Sequence, residues 1–250
     1  NGYAGNTENT EHQTKADVNR CQSFLPRERP QLSGFDICGI NIPSEEVGGD
    51  YYDFIPIIDN QMGVVIGDVS GKGIPASLIM ASFRASLIAE IRNNYAIRSI
   101  MFKVNNLLFE STEPENYVTA LYGVLDTKNR ILTFANGGHN APMLRHADGS
   151  IEYLTQGGMA LGAFENSKYE ERPIKLNTSE IIVFYTDGVT EAKNEKEEEF
   201  GTQRLKQVIN DSQQLSANQI MENIQNAVID FAGAASQADD LTLVVIKVED

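Results

Sequence analysis

Seven short apolar runs, rich in Val, Ile, Tyr and Phe, recur along the chain after residue 32. Their length and composition are typical of β-strands. Two pairs of neighbouring runs are separated only by short turns, at Asp59-Asn60 and at residues 127–129, and such turns connect antiparallel strands. The pattern predicts mainly antiparallel strands at Phe35–Ile42, Tyr51–Ile58, Gly63–Gly67, Val118–Leu125, Arg130–Ala135, Ile181–Tyr185 and Leu241–Val248.

Three segments between these strands carry apolar residues at helical spacing. The first has Pro75 at a position that suits the first turn of a helix, and the third opens with a capping box formed by Ser216 and Gln219. Because such stripes pack against a core, the order of elements predicts an α+β fold with helices laid against a sandwich of sheets. The stripes are Met80, Phe83, Leu87 and Ile91; Ile97, Ile100, Met101, Val104, Leu107 and Leu108; and Ile220, Ile224, Val228 and Phe231.

Residues 1–32 differ from the rest in being polar and irregular, with a proline-bounded stretch at Pro26–Pro30. We interpret them as a linker or the tail of an upstream segment, because this composition does not build a core. Residues 33–250 then form one domain. The chain begins with Asn1 rather than Met, so we expect it to be a fragment or a processed product.

The charge of the chain narrows the classes of partner. Twenty Lys and Arg against 35 Asp and Glu give a formal net charge of −15. We expect no contact with nucleic acid or an anionic membrane, because both need a cationic surface, and no run approaches the ~18 apolar residues of a membrane span. The two cysteines, Cys21 and Cys38, and three histidines disfavour a disulfide scaffold or a zinc site and favour a reducing, cytoplasmic location.

Aspartates stand at the ends of the predicted strands. Asp50 and Asp68 are equidistant, to within one residue, from the Asp59-Asn60 turn, so the hairpin places them side by side. Like charges at that separation destabilise a sheet unless a cation lies between them. Asp187 follows one strand and Asp239 precedes another, so these two meet at one edge if their strands are antiparallel neighbours.

Four carboxylates without histidine or thiolate make a hard-oxygen site that suits Mg²⁺ or Mn²⁺. Taken alone, the Asp187-Gly188 pair is also consistent with a simple turn. The segment Gly67–Gly73 is not a P-loop, because only three residues separate its first glycine from the Gly-Lys pair. No Asp-x-Asp-x-Asp-Gly spacing of an EF-hand is present either.

Five motifs in order resemble the bacterial serine phosphatases of the stage II sporulation protein E and RsbU type, a branch of the metal-dependent protein phosphatase 2C superfamily. The resemblance extends from about Phe35 to Val248. Any one motif is weak, but five at suitable spacing are specific. They are Gly48-Gly-Asp-Tyr-Tyr-Asp-Phe54, Gly67-Asp-Val-Ser-Gly-Lys-Gly73, Gly137-Gly-His-Asn140, Tyr185-Thr-Asp-Gly-Val-Thr-Glu191 and Asp239-Asp-Leu-Thr242.

The resemblance implies an αββα sandwich of two mainly antiparallel sheets, with two Mg²⁺ or Mn²⁺ ions at one edge. Carried over position by position, Asp50 and the carbonyl of Val69 would ligate one metal ion and Asp68 would bridge both. Asp187 and Asp239 would hold the second. Two such ions lower the pKa of a bridging water, so that hydroxide attacks phosphorus in line and no phosphoenzyme forms.

Two departures from the eukaryotic protein phosphatases 2C affect the chemistry. Ser70 stands where those enzymes have a histidine, two residues after the bridging aspartate. The group that protonates the leaving oxygen remains open between Lys72 and a metal-bound water. Supporting the loop or contacting the substrate suits Lys72 better than proton transfer does. No basic phosphate clamp is evident upstream of Asp50; Arg27 and Arg29 are candidates by proximity only, and a linker role suits them better.

We expect two further motif residues to have structural roles. They are Asp240, which stands beside the proposed ligand Asp239, and His139, which stands in a turn. The two helices after Gly73 occupy the place of the family's switch helices, so we expect low basal activity until an upstream sensor or regulatory domain, or a partner, fixes them.

The resemblance implies a phosphoserine/phosphothreonine protein phosphatase acting on a regulatory protein, such as a STAS-domain anti-sigma-factor antagonist in partner switching, and a homodimer remains open. A catalytically silent, partner-sensing module on the same fold is the alternative. A metal-dependent nuclease is disfavoured by the charge.

Overall fold

The computed structural model describes residues 25–26, 28–113 and 115–250. Most of the predicted linker at residues 1–32, including Cys21 and Arg27, lies outside the described residues, so that interpretation stays a prediction.

Eleven strands, within the described residues, form two sheets. The first sheet has the order β1-β11-β10-β6-β7, and the second has the order β2-β3-β4-β5-β8, with β9 also paired to β5. Only β5 and β8 pair in parallel among these strands. The strands are β1 Phe35–Ile42, β2 Tyr51–Ile58, β3 Gln61–Val69, β4 Val118–Asp126, β5 Ile131–Gly137, β6 Met143–Arg145, β7 Ile151–Tyr153, β8 Gly157–Gly158, β9 Arg172–Lys175, β10 Ile181–Tyr185 and β11 Leu241–Val248.

Helices cover the outer face of each sheet. The pair that follows β3 packs on the second sheet, and the pair before β11 packs on the first. All three predicted helices are confirmed. The helices are α1 Gly73–Asn93, α2 Ile97–Ser111, the short α3 Asp187–Thr190, α4 Gly201–Asp211 and α5 Ala217–Ala232.

The core lies in three layers, and strand alternation decides which residue enters which layer. Along β11, Val244 and Ile246 face the second sheet, whereas Leu243 and Val245 face α4 and α5. Both sets are almost fully buried, which explains why β11 is apolar throughout rather than alternating. The predicted αββα sandwich is therefore confirmed.

The sequence pattern missed the shorter elements. Strands β6 to β9 have two to four residues each, too few for a recognisable alternation. Helix α4 buries only Leu205 and Ile209, so its apolar stripe is one turn long.

Helix α1 is more apolar than the sequence analysis recognised. It has 21 residues, and an 18-residue window of it reaches a mean hydropathy of 1.4, enough by length and composition to cross a membrane. Ser82, Arg84 and Glu90 interrupt its apolar pattern, so the sequence shows no continuous apolar run here. In the structure, Met80, Phe83, Leu87 and other residues of its inner face pack on the second sheet.

Candidate active site

The hairpin β2–β3 brings Asp50 and Asp68 together. Tyr51 pairs with Gly67, so Asp50, one residue earlier, lies opposite Asp68, one residue later. An irregularity between Pro56 and Ile58 shifts the register by one residue, which is the uncertainty left by counting from the turn. The predicted side-by-side placement is therefore confirmed.

The first sheet brings the other two aspartates to the same edge. Strands β10 and β11 are antiparallel neighbours, with Tyr185 paired to Leu243. The N–H of Thr186 then donates to the carbonyl of Thr242 at 3.2 Å, which holds the segments leading to Asp187 and Asp239 side by side. Asp187 opens the short helix α3.

The four carboxylates interact electrostatically. Burial and then the charges of Asp187 and Asp239 raise the pKa of Asp68 to about 7. Burial and then the charge of Asp68 raise the pKa of Asp50 well above its usual range. The pKa of Asp187 is raised by burial and by Asp239. An edge that disfavours its own negative charges in this way fits a bound cation, which reverses each of these effects.

Lys72 already contacts this cluster. Its Nζ lies 3.0 Å from Asp239 Oδ2 and donates to the carbonyl of Ala238 at 2.5 Å. Within the part of the chain that the structure describes, no three Asp, Glu, His or Cys side chains converge closely enough to hold a metal ion. The aspartates are thus gathered at one edge but not drawn onto a common point, and their assignment as ligands stays a prediction.

The main chain around Val69 lies close to the loop that carries Asp50. A Cβ added to Gly49 would stand 3.2 Å from the Val69 carbonyl oxygen, so a side chain here would crowd that oxygen. The Oγ of Ser70 accepts a hydrogen bond from the N–H of Tyr117 at 2.9 Å, which ties this loop to the segment before β4.

Asp240 anchors the loop before β2. Its Oδ1 accepts from the N–H and hydroxyl of Ser44 at 2.7 and 3.0 Å, and its Oδ2 accepts from the N–H of Gly49 at 2.8 Å. A Cβ on Gly48 would lie 2.1 Å from Oδ2, so a side chain there would displace the Asp240 carboxylate. These contacts agree with the structural role suggested for Asp240.

Two threonines that the sequence analysis did not single out donate to Asp50. The hydroxyls of Thr186 and Thr242 lie 2.7 and 2.5 Å from Asp50 Oδ2, and both side chains are fully buried. The available signal was their position in two of the motifs. It was missed because a threonine hydroxyl is not diagnostic of any one chemistry.

His139 lies close to the carboxylates, because it contacts Thr119, which pairs with Asp68, whereas Arg29 lies away from them. His139 is buried, with Nδ1 3.0 Å from the Thr119 hydroxyl, and burial lowers its pKa to about 4, against a smaller opposing contribution from the backbone of Tyr185. A structural role fits. Arg29 donates to Asn218 at 2.6 Å, in the first turn of α5.

The N–H of Ala217, beside Asn218, bonds to Asp36. Asp36 pairs with Lys247, at the end of β11 remote from Asp239. The proximity in sequence that made Arg29 a candidate phosphate ligand therefore does not carry over into space.

Two helix-covered antiparallel sheets with a carboxylate edge define the protein phosphatase 2C class. The fold matches the SiaA-PP2C domain of Pseudomonas aeruginosa with a TM-score of 0.85, at 18% identity, over 99% of this chain and 100% of that one. It also matches RsbX, solved in complex with magnesium, with a TM-score of 0.67 at 17% identity, over 89% of this chain and 99% of that one.

At the level of sequence, residues 58–249 match the stage II sporulation protein E family, to which the chain belongs. Phosphoserine phosphatase RsbU of Bacillus subtilis (strain 168) is 25% identical over 90% of this chain and 67% of its own length. Protein IcfG of Synechocystis sp. (strain ATCC 27184 / PCC 6803 / Kazusa) is 28% identical over 90% of this chain. The chain spans 40% of the length of IcfG.

Proposed function

We propose that this chain hydrolyses phosphoserine or phosphothreonine on a regulatory protein and that it needs Mg²⁺ or Mn²⁺ to do so. The observation that carries the proposal is the edge of the sandwich at which Asp50, Asp68, Asp187 and Asp239 from both sheets face one another. Relatives named as phosphoserine phosphatases support the reaction class.

Two cations would be held by Asp50, Asp68, the carbonyl of Val69, Asp187 and Asp239. When bound, such cations neutralise phosphate oxygens and lower the pKa of a water, which supplies a nucleophile at neutral pH. RsbX, which shares this fold, was solved in complex with magnesium, and this supports a divalent cation as the cofactor of this chain. Oxygen donors alone do not discriminate Mg²⁺ from Mn²⁺.

The chain's own groups set the rest of the chemistry. Lys72 is about half exposed on a loop flanked by Gly71 and Gly73, both at positive φ, so its ammonium group can reach a phosphate in front of the carboxylates. The Ser70 hydroxyl is engaged with the main chain of Tyr117 and is a weak acid, so it is better suited to loop support than to proton donation. Lys72 is therefore the residue we assign to contact with the substrate phosphate.

The substrate and setting are proposed from relatives. A STAS-domain anti-sigma-factor antagonist in the cytoplasm is the proposed substrate, because RsbU is named as a phosphoserine phosphatase and a solved relative joins RsbU and RsbW domains in one chain. An upstream sensor domain is expected to act through α1 and α2. Because the chain spans only part of its longer relatives, these partners, and the homodimer left open, belong to the protein as a whole.

The decisive experiment measures phosphate release from an aryl phosphate and a phosphoserine peptide, with Mn²⁺ and with chelator. We expect metal-dependent turnover that Asp68→Asn reduces by about a thousand-fold or more, since this residue faces both halves of the site. Asp59→Asn, the same substitution in the exposed β2–β3 turn, is the matched control and should keep full activity.

A catalytically silent sensing module is the alternative. It predicts Mn²⁺ binding, measured by calorimetry, without phosphate release from either substrate. Turnover that survives both chelator and Asp68→Asn would contradict the two-cation proposal.

A further inference from the structure

The carboxylate of Asp50 is held from across the sandwich. Asp50 precedes β2 of the second sheet, whereas its two hydroxyl donors, Thr186 and Thr242, follow β10 and belong to β11 of the first sheet. All three side chains are buried, with both threonines at 0% exposure. The position of this carboxylate therefore depends on the packing of one sheet on the other.

The neighbours of the two hydroxyls favour donation to Asp50. Asn41 Nδ2 donates to Thr242 Oγ1 at 2.8 Å, and the N–H of Thr242 donates to Thr186 Oγ1 at 3.1 Å. Each hydroxyl oxygen already accepts a proton, so its own proton is free to be donated. For both, Asp50 Oδ2 is the nearest acceptor; the alternative for Thr186, the carbonyl of Asp240, is at 3.4 Å.

Both hydroxyls engage the same oxygen of Asp50. Two donors on Oδ2 restrict the orientation of the carboxylate. Neither threonine hydroxyl contacts Oδ1. A hydrogen bond from a neutral hydroxyl to a carboxylate is strong and directional. The arrangement therefore orients one carboxylate oxygen for another partner while satisfying the other.

We infer that Thr186 and Thr242 are positioning residues that orient Asp50 for a divalent cation, with Asn41 setting the direction of the Thr242 hydroxyl. This inference rests on the proposed function, because it takes Asp50 to be a metal ligand. Groups that orient ligands in this way change metal affinity by about 10- to 100-fold when removed.

The test measures Mn²⁺ affinity by titration calorimetry and by electron paramagnetic resonance, with no substrate present. Thr242→Val and Thr186→Val keep the shape of the side chain and remove the hydroxyl, and each should weaken Mn²⁺ binding by about 10- to 100-fold. Thr242→Ser and Thr186→Ser keep the hydroxyl and should restore most of the affinity. Thr133→Val, the same change on β5 outside this cluster, should bind Mn²⁺ as the wild type does.

A second measurement tests the contact in the absence of metal. Urea unfolding of Thr242→Val, Asp50→Ala and the double variant forms a cycle. We expect Thr242→Val to lower the urea midpoint clearly in the wild-type background and much less in the Asp50→Ala background. Equal shifts in both backgrounds, or unchanged Mn²⁺ affinity in both valine variants, would overturn the inference.

The outcomes separate this inference from the proposed function. Mn²⁺ binding without turnover by the wild type would overturn the proposed function alone, since the valine variants still report on affinity. Absence of Mn²⁺ binding by the wild type would overturn both. Loss of affinity in the serine variants as well as in the valine variants would indicate a packing effect and overturn the role of the hydroxyls.

Discussion

Helices α1 and α5, one from each helical layer of the sandwich, begin differently. Helix α5 starts with a complete capping box, in which Ser216 accepts from the N–H of Gln219 and the Gln219 side chain accepts from Ser216. Helix α1 starts at Gly73 without a side-chain cap and without an acidic residue in its first turn. Its Ile74 and Leu78 are 67% and 64% exposed.

The helix without a side-chain cap is the one that begins next to the carboxylates. The first turn of α1 follows directly on the loop that contains Val69, Ser70 and Lys72, whereas the start of α5 lies at the other end of β11. Lacking a cap, the start of α1 has free N–H groups that its own residues do not satisfy. Its first turns are held instead by the buried Ala76 and by Ser77, whose Oγ donates to the carbonyl of Gly48 at 3.0 Å.

The largest expected effect separates the two faces of α1. Leu87 is fully buried against the second sheet, so Leu87→Ala should lower the free energy of unfolding by about 2–5 kcal/mol. Leu78→Ala removes the same atoms from an exposed position and should change it by less than about 0.5 kcal/mol. Chemical denaturation measures both, and equal losses would show that the outer face is covered in solution.

The buried His139 lies on neither helix and provides a test of how stability depends on pH. The pKa of His139 is about 4 in the folded protein, below its ordinary value, so the unfolded chain binds more protons between pH 6.5 and 4. Stability is therefore lost as the pH falls through this range, by up to about 3 kcal/mol relative to His139→Gln. Unfolding of both proteins at pH 7 and pH 4 measures the difference.

The control for this prediction has the opposite sign. Hydrogen bonding to Glu180 raises the pKa of the partly exposed His146. Its stabilising contribution is complete at acidic pH and is lost as the pH rises through its folded pKa, so His146→Gln should be most destabilising in acid. A pH dependence of the same sign for both histidine variants would contradict the account of His139.

A smaller effect is expected at the capped start of α5. Ser216→Ala removes the hydroxyl that accepts the Gln219 N–H and should cost about 1 kcal/mol of stability. Phosphate release should not change, because this cap lies far from the aspartates. A loss of turnover larger than the loss of folded protein would show that the two layers are coupled.

The smallest effect on stability is expected at the uncapped start of α1. The Lys72–Asp239 ion pair is about half exposed, so Lys72→Met should change the free energy of unfolding by less than about 1 kcal/mol. Michaelis–Menten kinetics with an aryl phosphate should show a raised KM, because the phosphate loses its cation. Lys72→Arg should recover part of the effect, and an unchanged KM would remove Lys72 from substrate binding.

The sequence was informative where geometry is local. The adjacency of Asp50 and Asp68 followed from the length of one hairpin, because a tight turn fixes its register. The pairing of β10 with β11 could only be assumed, since 55 residues separate Tyr185 from Leu241 and their pairing depends on tertiary packing. The contacts of Thr186 and Thr242 with Asp50 join the two sheets and have no local signal.

The difference between local and tertiary interactions also explains which strands the sequence pattern did not predict. Long strands with a buried face were found to within a few residues, whereas β6 to β9 exist because neighbouring strands hold them. Arg29 was considered for the site from its position in the chain, and the structure places it beside Asn218 on the opposite end of the first sheet.

The position of β11 has a consequence for how the protein is made. The strand lies between β1 and β10 and pairs with β1 along all eight residues, so the first sheet cannot close until residues 241–248 have left the ribosome. Asp239 and both donors to Asp50 reach their places only when β11 is added between β1 and β10. A nascent chain halted before residue 239 would carry two of the four aspartates in a finished hairpin and still be unable to assemble the edge.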